Sequence, residues 1–254
     1  LGLMNWKKKA VVTGGAGFIG SHMVELLLSK GYRVVAIDDM SNGQQDNIDL
    51  FKGNQNYEFH RIDLSGEFDD SLFKDAVYVF HMAALADIVP SIEQPLRYHE
   101  ANVTGTVRVL EACRKYGVKK LIYAASSSCY GIPDRYPTSE DAEIKPQYPY
   151  AFTKYVGELC VMFWRRLYSL PVVSLRYFNV YGTRARTNNT YGAVFKVFLA
   201  QKLHNRPLTI VGDGTQTRDF TYVTDVAKAA IIAAESDVVG KIINIGTGKP
   251  QSVN

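Results

Sequence analysis

Tyr150 and Lys154 are the two side chains whose types and spacing most directly suggest chemistry, in the segment YPYAFTKYVGE. Four positions apart, they lie on one face of a helix. An ammonium beside a phenol favours the phenolate, so we expect it to lower a pKa that is ordinarily about 10. The phenolate could then take a proton from a substrate hydroxyl while hydride leaves the same carbon. Taken alone, such a pair is more often structural, so its surroundings must decide.

Three hydroxyl side chains, Ser126, Ser127 and Ser128, follow the apolar run KKLIYAA, which is typical of a buried strand. Open α/β sheets bind their ligands at the carboxyl ends of parallel strands. We therefore expect a hydroxyl here to hydrogen-bond the reacting oxygen and hold it against Tyr150. The alternative is a polar loop without chemistry.

A glycine-rich segment, TGGAGFIG, lies between the first predicted strand and the first predicted helix. Gly14, Gly17 and Gly20 would let the backbone turn sharply and approach a pyrophosphate. The start of the helix, at Phe18 and Ile19, would supply N–H groups and a favourable dipole to the same phosphates. Because the pattern has the strand–turn–helix context, it predicts a dinucleotide site.

Acidic residues end the next two predicted strands. Asp38 can accept hydrogen bonds from the adenosine ribose and repel a 2′-phosphate, which favours NAD over NADP as the cofactor. The neighbouring Asp39 adds to that repulsion, and the alternative for Asp38 is a simple turn cap. Asp63, followed by Leu64, closes the third strand, where adenine would lie.

Strands and helices alternate through the first part of the chain, which predicts a Rossmann-type α/β fold, a doubly wound parallel sheet. Strands are predicted at 9–14, 32–38, 57–63, 76–84, 119–126 and 171–177, and helices at 18–31, 95–116 and 149–168. We expect residues 1–178 to form the NAD-binding domain. Residues 179–254 would form a smaller, less regular substrate lobe interleaved with a last strand of the main sheet.

The predicted elements of this lobe are helices at 193–204 and 224–236 and strands at 208–211 and 241–245. A glycine-rich loop is expected between the strand at 208–211 and the second helix. The end, GTGKPQSVN, is expected to be a turn leading into a helix, so we expect a C-terminal segment to be missing.

Bulk composition narrows the class of protein. The 254 residues are 46% hydrophobic, and 29 basic and 25 acidic side chains give a formal net charge of +4. That balance argues against nucleic acid or a membrane as a partner, and no apolar run reaches the roughly 20 residues that span a bilayer. Cys113, Cys129 and Cys160 show no CxxC spacing, which favours a reducing cytoplasm over disulfides or zinc. The histidines are scattered, so no metal is expected.

Several motifs in family order resemble the extended short-chain dehydrogenase/reductases, particularly nucleotide-sugar epimerases of the UDP-glucose 4-epimerase type. They are TGGAGFIGSH, HMAALADIVPSIEQP, NVTGTVRVLEAC, SSSCYG, YAFTK, RYFNVYG and GDGTQTRDFTYVTDVA. The resemblance implies that Tyr150 and Lys154 are the catalytic pair and that Ser126 is the active serine. It also implies that Asn102 supports the lysine side of the site through water. A further implication is that Ala83 and Ala84 lie against NAD.

The same resemblance implies a nucleotide-sugar site and a homodimer. Asn179 and Arg218 would contact the diphosphate, since a guanidinium fork suits phosphate oxygens; a local salt bridge of Arg218 with Asp219 is the alternative. Val194, Phe195 and Thr209 are expected to line the base pocket, Ser91 to face the hexose, and Ser127 and Ser128 to lie against the substrate. Helices 95–116 and 149–168 would form a four-helix contact between two copies.

The serine segment also bears on the reaction. Related dehydratases resemble TDEVYG and related decarboxylases TSEVYG, whereas this chain has Ser127 and Ser128 at those positions. Elimination needs a base and an acid, which serines do not supply. The sequence therefore predicts inversion at C4 of a UDP-hexose of the glucose, N-acetylglucosamine or glucuronate type, through a 4-keto sugar. A dehydratase, decarboxylase, reductase, other epimerase or catalytically silent NAD-binding scaffold remain the alternatives.

Overall fold

The computed structural model describes residues 8–186, 194–210 and 212–254. The strands of that part are β1 (Lys9–Thr13), β2 (Arg33–Asp38), β3 (Tyr57–Arg61), β4 (Ala76–His81), β5 (Lys120–Ser126), β6 (Val172–Tyr177), β7 (Asn179–Tyr181), β8 (Thr217–Tyr222), β9 (Lys241–Ile245) and β10 (Pro250–Ser252). The α-helices are α1 (Phe18–Ser29), α2 (Gln45–Asp49), α3 (Ile88–Glu93), α4 (Pro95–His99), α5 (Gly105–Lys115), α6 (Pro149–Tyr168), α7 (Val194–Leu203) and α8 (Val223–Glu235).

Seven of these strands form one parallel sheet in the order β3-β2-β1-β4-β5-β6-β9. This confirms the Rossmann-type doubly wound fold. The order reverses between β1 and β4, and such a switch point opens a crevice for a ligand at the carboxyl ends of the strands. As expected, β9 joins the main sheet from late in the chain, beside β6. The domain boundary at 178 and 179 stays a prediction.

Alternating side chains of the strands build a core on each face of the sheet. Val12 of β1 packs with α1 and α8 on one face, where Val24 and Ile231 belong to the same cluster. The adjacent Val11 packs on the other face with α5 and α6, together with Leu110 and Val161. Because both faces are covered, the central strands β1, β2, β4 and β5 are mostly apolar, which is why they were recognisable in the sequence.

The helix expected at 95–116 is interrupted by a π-helical turn. After α4 the chain makes this turn over Glu100–Thr104 and continues directly into α5. Single π-turns inside helices occur frequently at functional sites. Asn102 lies in this turn and is fully buried, so the irregularity points its side chain inward.

The second part of the chain was predicted less well. The strand expected at 208–211 is wrong for 208–210, which have no regular structure, and 211 lies outside the described residues. The expected glycine-rich loop contains β8, and the expected C-terminal turn contains β10; these two strands form a small sheet with β7. β10 has only three residues and β8 directly follows a glycine-rich segment, so neither shows a clear strand pattern in the sequence.

Among the described residues, no helix is long and apolar enough to cross a membrane.

Candidate active site

The glycine-rich turn sits at the switch point and is packed so tightly that side chains would not fit. Gly14 has a φ of +69°, its N–H donates to Ile37 O at 2.7 Å, and a Cβ there would lie 2.7 Å from Ala83 N. A Cβ on Gly20 would overlap Gly14 O. Gly17 caps α1, whose first residues are Phe18 and Ile19. The turn therefore leaves backbone N–H groups as the groups that approach a phosphate.

A buried polar chain that sequence reasoning missed lies under this turn. Thr13 Oγ1 is 2.6 Å from His81 Nδ1 and accepts a hydrogen bond from Ala83 N at 3.2 Å. On the other side of the ring, His81 Nε2 is 2.9 Å from Thr106 Oγ1. Burial lowers the pKa of His81 to about 3, so the ring is neutral. The available signal was a threonine and a histidine at the ends of otherwise apolar strands.

Asp38 is placed where a ribose-binding carboxylate is expected. It ends β2, is 8% exposed, and accepts hydrogen bonds from Ala16 N at 3.0 Å and Met40 N at 2.9 Å. Burial raises the pKa of Asp38, and the two backbone donors lower it. A backbone cradle without room for side chains, next to this carboxylate, fits an adenine dinucleotide.

The adenine end of the predicted site is assembled from neighbouring strand ends. Ile62 N donates to Asp38 O at 3.0 Å, which keeps the end of β3 beside β2. Asp63 closes a turn by accepting hydrogen bonds from Ser65 N and Oγ, and Leu64 is buried. Asp63 and Leu64 therefore follow a strand end that is held beside Asp38, and their contact with adenine stays a prediction. Ala84 is partly buried in the segment that follows β4.

A second group that the sequence did not reveal connects the segment after β7 to the nucleotide side of the fold. Arg184 Nη2 donates to Glu25 Oε2 at 2.6 Å, and Gln44 Nε2 donates to Arg184 O at 3.0 Å. Arg186 donates to the side chain of Asn42 in the loop after β2. These contacts join residues far apart in the chain, so no local pattern announces them.

The predicted reactive residues meet at the carboxyl end of β5. Ser126 ends the strand, and a 3₁₀ turn, Ser127–Tyr130, follows it. The Tyr150 hydroxyl donates to Ser126 Oγ at 3.3 Å, and Ser126 Oγ and Ser128 Oγ share a hydrogen bond of 2.8 Å. Tyr150 and Lys154 are on α6, which begins with Pro149. The serine and the tyrosine can therefore act on one substrate oxygen.

The sequence predicted a lowered pKa for Tyr150, and this prediction was wrong for the protein without its ligands. Burial raises the pKa of Tyr150, and the nearby carboxylate of Asp87 raises it too, whereas the hydrogen bonds to Ser126 and Ser128 lower it. Burial likewise lowers the pKa of Lys154 to about 7, although Glu158 opposes that shift. Spacing reveals that two side chains share a face but not how far both are desolvated.

Asn102 links the two sides of the site. Its Oδ1 accepts from Leu85 N at 2.8 Å, while Nδ2 donates to Leu85 O and to Thr153 Oγ1, both at 3.0 Å. It thereby holds the loop after β4 against the residue that precedes Lys154. These direct contacts place it on the lysine side of the site.

The residues predicted for the diphosphate are brought together by the small sheet. Asn179 Nδ2 donates to Asp219 O at 3.1 Å, next to Arg218. The Asp219 carboxylate accepts from Thr247 N at 2.9 Å and Gly248 N at 2.7 Å, so it holds the turn after β9 and is not paired with Arg218. The exposed Arg218 lowers the pKa of Tyr148, whose net pKa shift is upward because of burial. The ring of Tyr148 stacks in turn on that of the reactive Tyr150, with centroids 6.3 Å apart.

The remaining predicted substrate residues are only partly collected. Phe195 stacks on Tyr181 with ring centroids 5.0 Å apart, and Val194 precedes it at the start of α7. Thr209 is exposed and bonded to Gln201 on that helix. Ser91 is fully buried, and its hydroxyl donates to Ile88 O at 2.5 Å. Its direct contact with a hexose stays a prediction that this placement does not support.

A parallel sheet of this order, a glycine cradle at its switch point and a serine–tyrosine–lysine site define a dinucleotide-dependent enzyme of the Rossmann type. The model of the NAD dependent epimerase/dehydratase family matches residues 10–246, and the chain belongs to that family. NAD is the cofactor.

Similar proteins and solved structures agree with this assignment. The chain is 38% identical to a UDP-glucose 4-epimerase of Mycolicibacterium smegmatis, over 94% of this chain and 77% of the relative. A UDP-N-acetylglucosamine 4-epimerase from Methanobrevibacter ruminantium is 39% identical, with a TM-score of 0.93 over 97% of this chain and 79% of that one. A UDP-glucuronic acid 4-epimerase from Bacillus cereus, solved with UDP-glucuronic acid and NAD, is 36% identical, with a TM-score of 0.89 over 96% and 79%. Relatives named as a decarboxylase and a dehydratase also match, so the reaction must be argued from the site.

The packing of the glycine turn generates a prediction about NAD. We expect Gly20→Ala to weaken NAD binding at least about tenfold, or about 1.4 kcal/mol, because the added Cβ would displace Gly14 O. Calorimetric titration with NAD, after removal of any nucleotide that copurifies, measures the change. The control is Gly66→Ala, where the nearest atom to the added Cβ would be 3.8 Å away. Equal NAD affinity in Gly20→Ala and the control would contradict this account of the turn.

Proposed function

We propose that the protein inverts the C4 centre of a UDP-hexose through a 4-keto sugar. The observation that carries the proposal is the hydrogen bond from Tyr150 to Ser126 at the end of β5, in a turn whose neighbouring side chains are Ser127 and Ser128. Relatives named as 4-epimerases of three different UDP-sugars support the same reaction. When bound, NAD supplies the group that takes hydride from C4 and returns it.

Different side chains of this site move the O4 proton and hold the substrate. Ionised Tyr150 removes that proton, and the Ser126 hydroxyl holds O4 beside the phenol. An ammonium at Lys154 favours the phenolate, against the burial that raises the pKa of Tyr150. Asn179 and Arg218 hold the diphosphate while the keto sugar turns about that linkage. Once hydride has been returned to the opposite face of C4, Tyr150 gives the proton back to O4.

The serine turn favours epimerisation over elimination or decarboxylation. Dehydration needs a base for the C5 proton and an acid for the leaving hydroxyl. Ser127 and Ser128 stand where related dehydratases carry acids, and the Ser128 hydroxyl is bonded to Ser126. Neither side chain can perform those proton transfers at neutral pH.

Besides burial, the charge of Asp87 raises the pKa of Tyr150, and from this charge we infer a preference for a neutral hexose. Asp87 begins α3 at its N-cap without using its side chain as a cap. It follows the carboxyl end of β4 and acts electrostatically on Tyr150. A hexuronate would bring a second carboxylate toward this one, and like charges at a partly desolvated site repel strongly. Glucose or N-acetylglucosamine is therefore the preferred sugar over glucuronate.

We also propose that two copies associate through α6 and the neighbouring α3 and α4. Phe152, Leu159 and Phe163 are each more than 40% exposed on α6, with side chains on one face of the helix. Ile92 and Leu96 continue the apolar surface. A self-complementary face of this kind suits a two-fold dimer.

The first prediction of the proposed function concerns the reaction. Incubation with NAD and UDP-glucose, UDP-N-acetylglucosamine or UDP-glucuronate, followed by chromatography and NMR of the products, should give a 4-epimer. Ser126→Ala should lower kcat by about 10²-fold or more with NAD affinity unchanged, because it removes a group that acts on the transferred proton. Ser29→Ala, far from the site at the end of α1, is the control. The proposed reaction would be refuted if none of the three UDP-sugars gave a 4-epimer.

The second prediction concerns the sugar. Asp87→Asn should raise the ratio of kcat/KM for UDP-glucuronate to that for UDP-glucose about tenfold, or about 1.4 kcal/mol, because it removes a repelling charge. Glu93→Gln changes the net charge equally at the far end of the same helix and should leave the ratio as it is. An equal effect of the two substitutions would show that Asp87 does not select the sugar.

The third prediction concerns assembly. Leu159→Glu should convert a dimer into monomers because it buries a charge in the apolar contact. Light scattering after size-exclusion chromatography gives the mass directly. Ile232→Glu, at an exposed apolar position on α8, should remain dimeric. A monomeric unmodified protein would rule out this contact.

A further inference from the structure

One buried tyrosine contacts both ends of the residue Lys154. The Lys154 ammonium lies 4.3 Å from the centroid of the Tyr123 ring. The Tyr123 hydroxyl donates to the backbone O of Lys154 at 3.1 Å. Tyr123 belongs to β5, directly beneath α6, and is fully buried. Its ring and its hydroxyl therefore restrain the lysine from opposite ends.

A glycine on α6 makes this arrangement possible. A Cβ on Gly157 would overlap the Tyr123 hydroxyl and lie 3.0 Å from Asn102 O. Glycine weakens a helix relative to alanine, so its place one turn after Lys154 has a local cost. The missing side chain lets the Tyr123 hydroxyl reach the backbone of α6, so that α6 packs closely on β5.

Burial and the carboxylate of Glu158 act in opposite directions on the pKa of Lys154. Its protonation state is therefore sensitive to contact with the Tyr123 ring. Burial lowers the pKa of Lys154 to about 7, and Glu158 on α6 opposes the shift. Glu158 also forms an ion pair with Arg176 of β6, whose Nη2 lies 2.6 Å from Glu158 Oε1. His81 of β4 is neutral and lies against the Tyr123 ring, with centroids 5.7 Å apart. An aromatic face attracts a desolvated ammonium, which favours the charged form.

We propose that Tyr123 is a positioning residue that aims the Lys154 ammonium at the reactive tyrosine and keeps it protonated, with Gly157 providing the room. Tyr123 lies under α6 and acts through Lys154. The proposal rests on the proposed function for the consequence in turnover, but the contact itself can be tested without substrate.

Two substitutions separate the ring from the hydroxyl. Tyr123→Leu removes the aromatic face, so the pKa of Lys154 should fall and the ammonium should be lost at a lower pH. The alkaline limb of the kcat profile should move down by about one pH unit, a tenfold change in the protonation equilibrium, with KM for the UDP-sugar nearly unchanged. Tyr123→Phe retains the ring and should keep the position of that limb.

A direct titration tests the same point in the protein without substrate or NAD. The ¹³Cε signal of Lys154, in protein made with labelled lysine and assigned by its loss in Lys154→Met, reports the protonation. Its midpoint should fall in Tyr123→Leu and stay in Tyr123→Phe. An unchanged midpoint in Tyr123→Leu would overturn the inference, whereas absent epimerisation in the unmodified enzyme would refute only the proposed function.

A second pair of variants covers the case in which Tyr123→Leu fails to fold. Gly157→Ala should displace the Tyr123 hydroxyl and lower kcat about tenfold, with a lower Lys154 midpoint. Combining it with Tyr123→Phe removes the overlapping oxygen and should recover most of both losses. Equal impairment of the single and the double variant would overturn the inference.

Discussion

The buried ion pair of Glu158 with Arg176 is the interaction on which the site's geometry depends. The two side chains are 2% and 4% exposed and joined by two hydrogen bonds, at 2.6 and 3.1 Å. Ser174 donates to the same carboxylate, and Arg176 also donates to the Tyr130 hydroxyl at 2.8 Å. Removal of one partner from such a pair typically costs about 3–5 kcal/mol, because the other charge is left buried. The pair joins α6, β6 and the serine turn, so it sets the spacing between Ser126 and the reactive helix.

Most of the main sheet could be predicted because its central strands are largely apolar and buried on both faces, and α6 was predicted from end to end. That helix begins at Pro149, and Ser169 ends it in the left-handed region, with a φ of +57°. The small sheet could not be predicted, since β7 and β10 are three-residue strands stabilised by partners elsewhere in the chain. The contact of Arg186 with Asn42 could not be predicted either, because it joins the segment after β7 to the loop after β2, far apart in the sequence.

The candidate site divides in a similar way. The approach of Ser126 to Tyr150 followed from a strand end and a helix spacing, and both are local features. The direction of the Tyr150 pKa shift was wrong, because burial acts on the phenol and on Lys154 alike. The chain of Thr13, His81 and Thr106 was missed because a polar residue in an apolar run shows no partner until the strands are placed side by side. Sequence thus identifies the reactive groups, and packing determines their charge.

The late arrival of β9 has a consequence for synthesis on the ribosome. Asn244 of that strand accepts a hydrogen bond from Tyr130 at 2.7 Å and donates through its own side chain to Thr138 O. Until β9 emerges, β6 is an edge strand with an unpaired backbone, which is a place for wrong pairing or for a chaperone. The serine turn gains the contact between Tyr130 and Asn244 only when this strand docks. Late synthesis therefore completes both the serine turn, through Asn244, and the core beside the glycine turn, which includes Ile231 of α8.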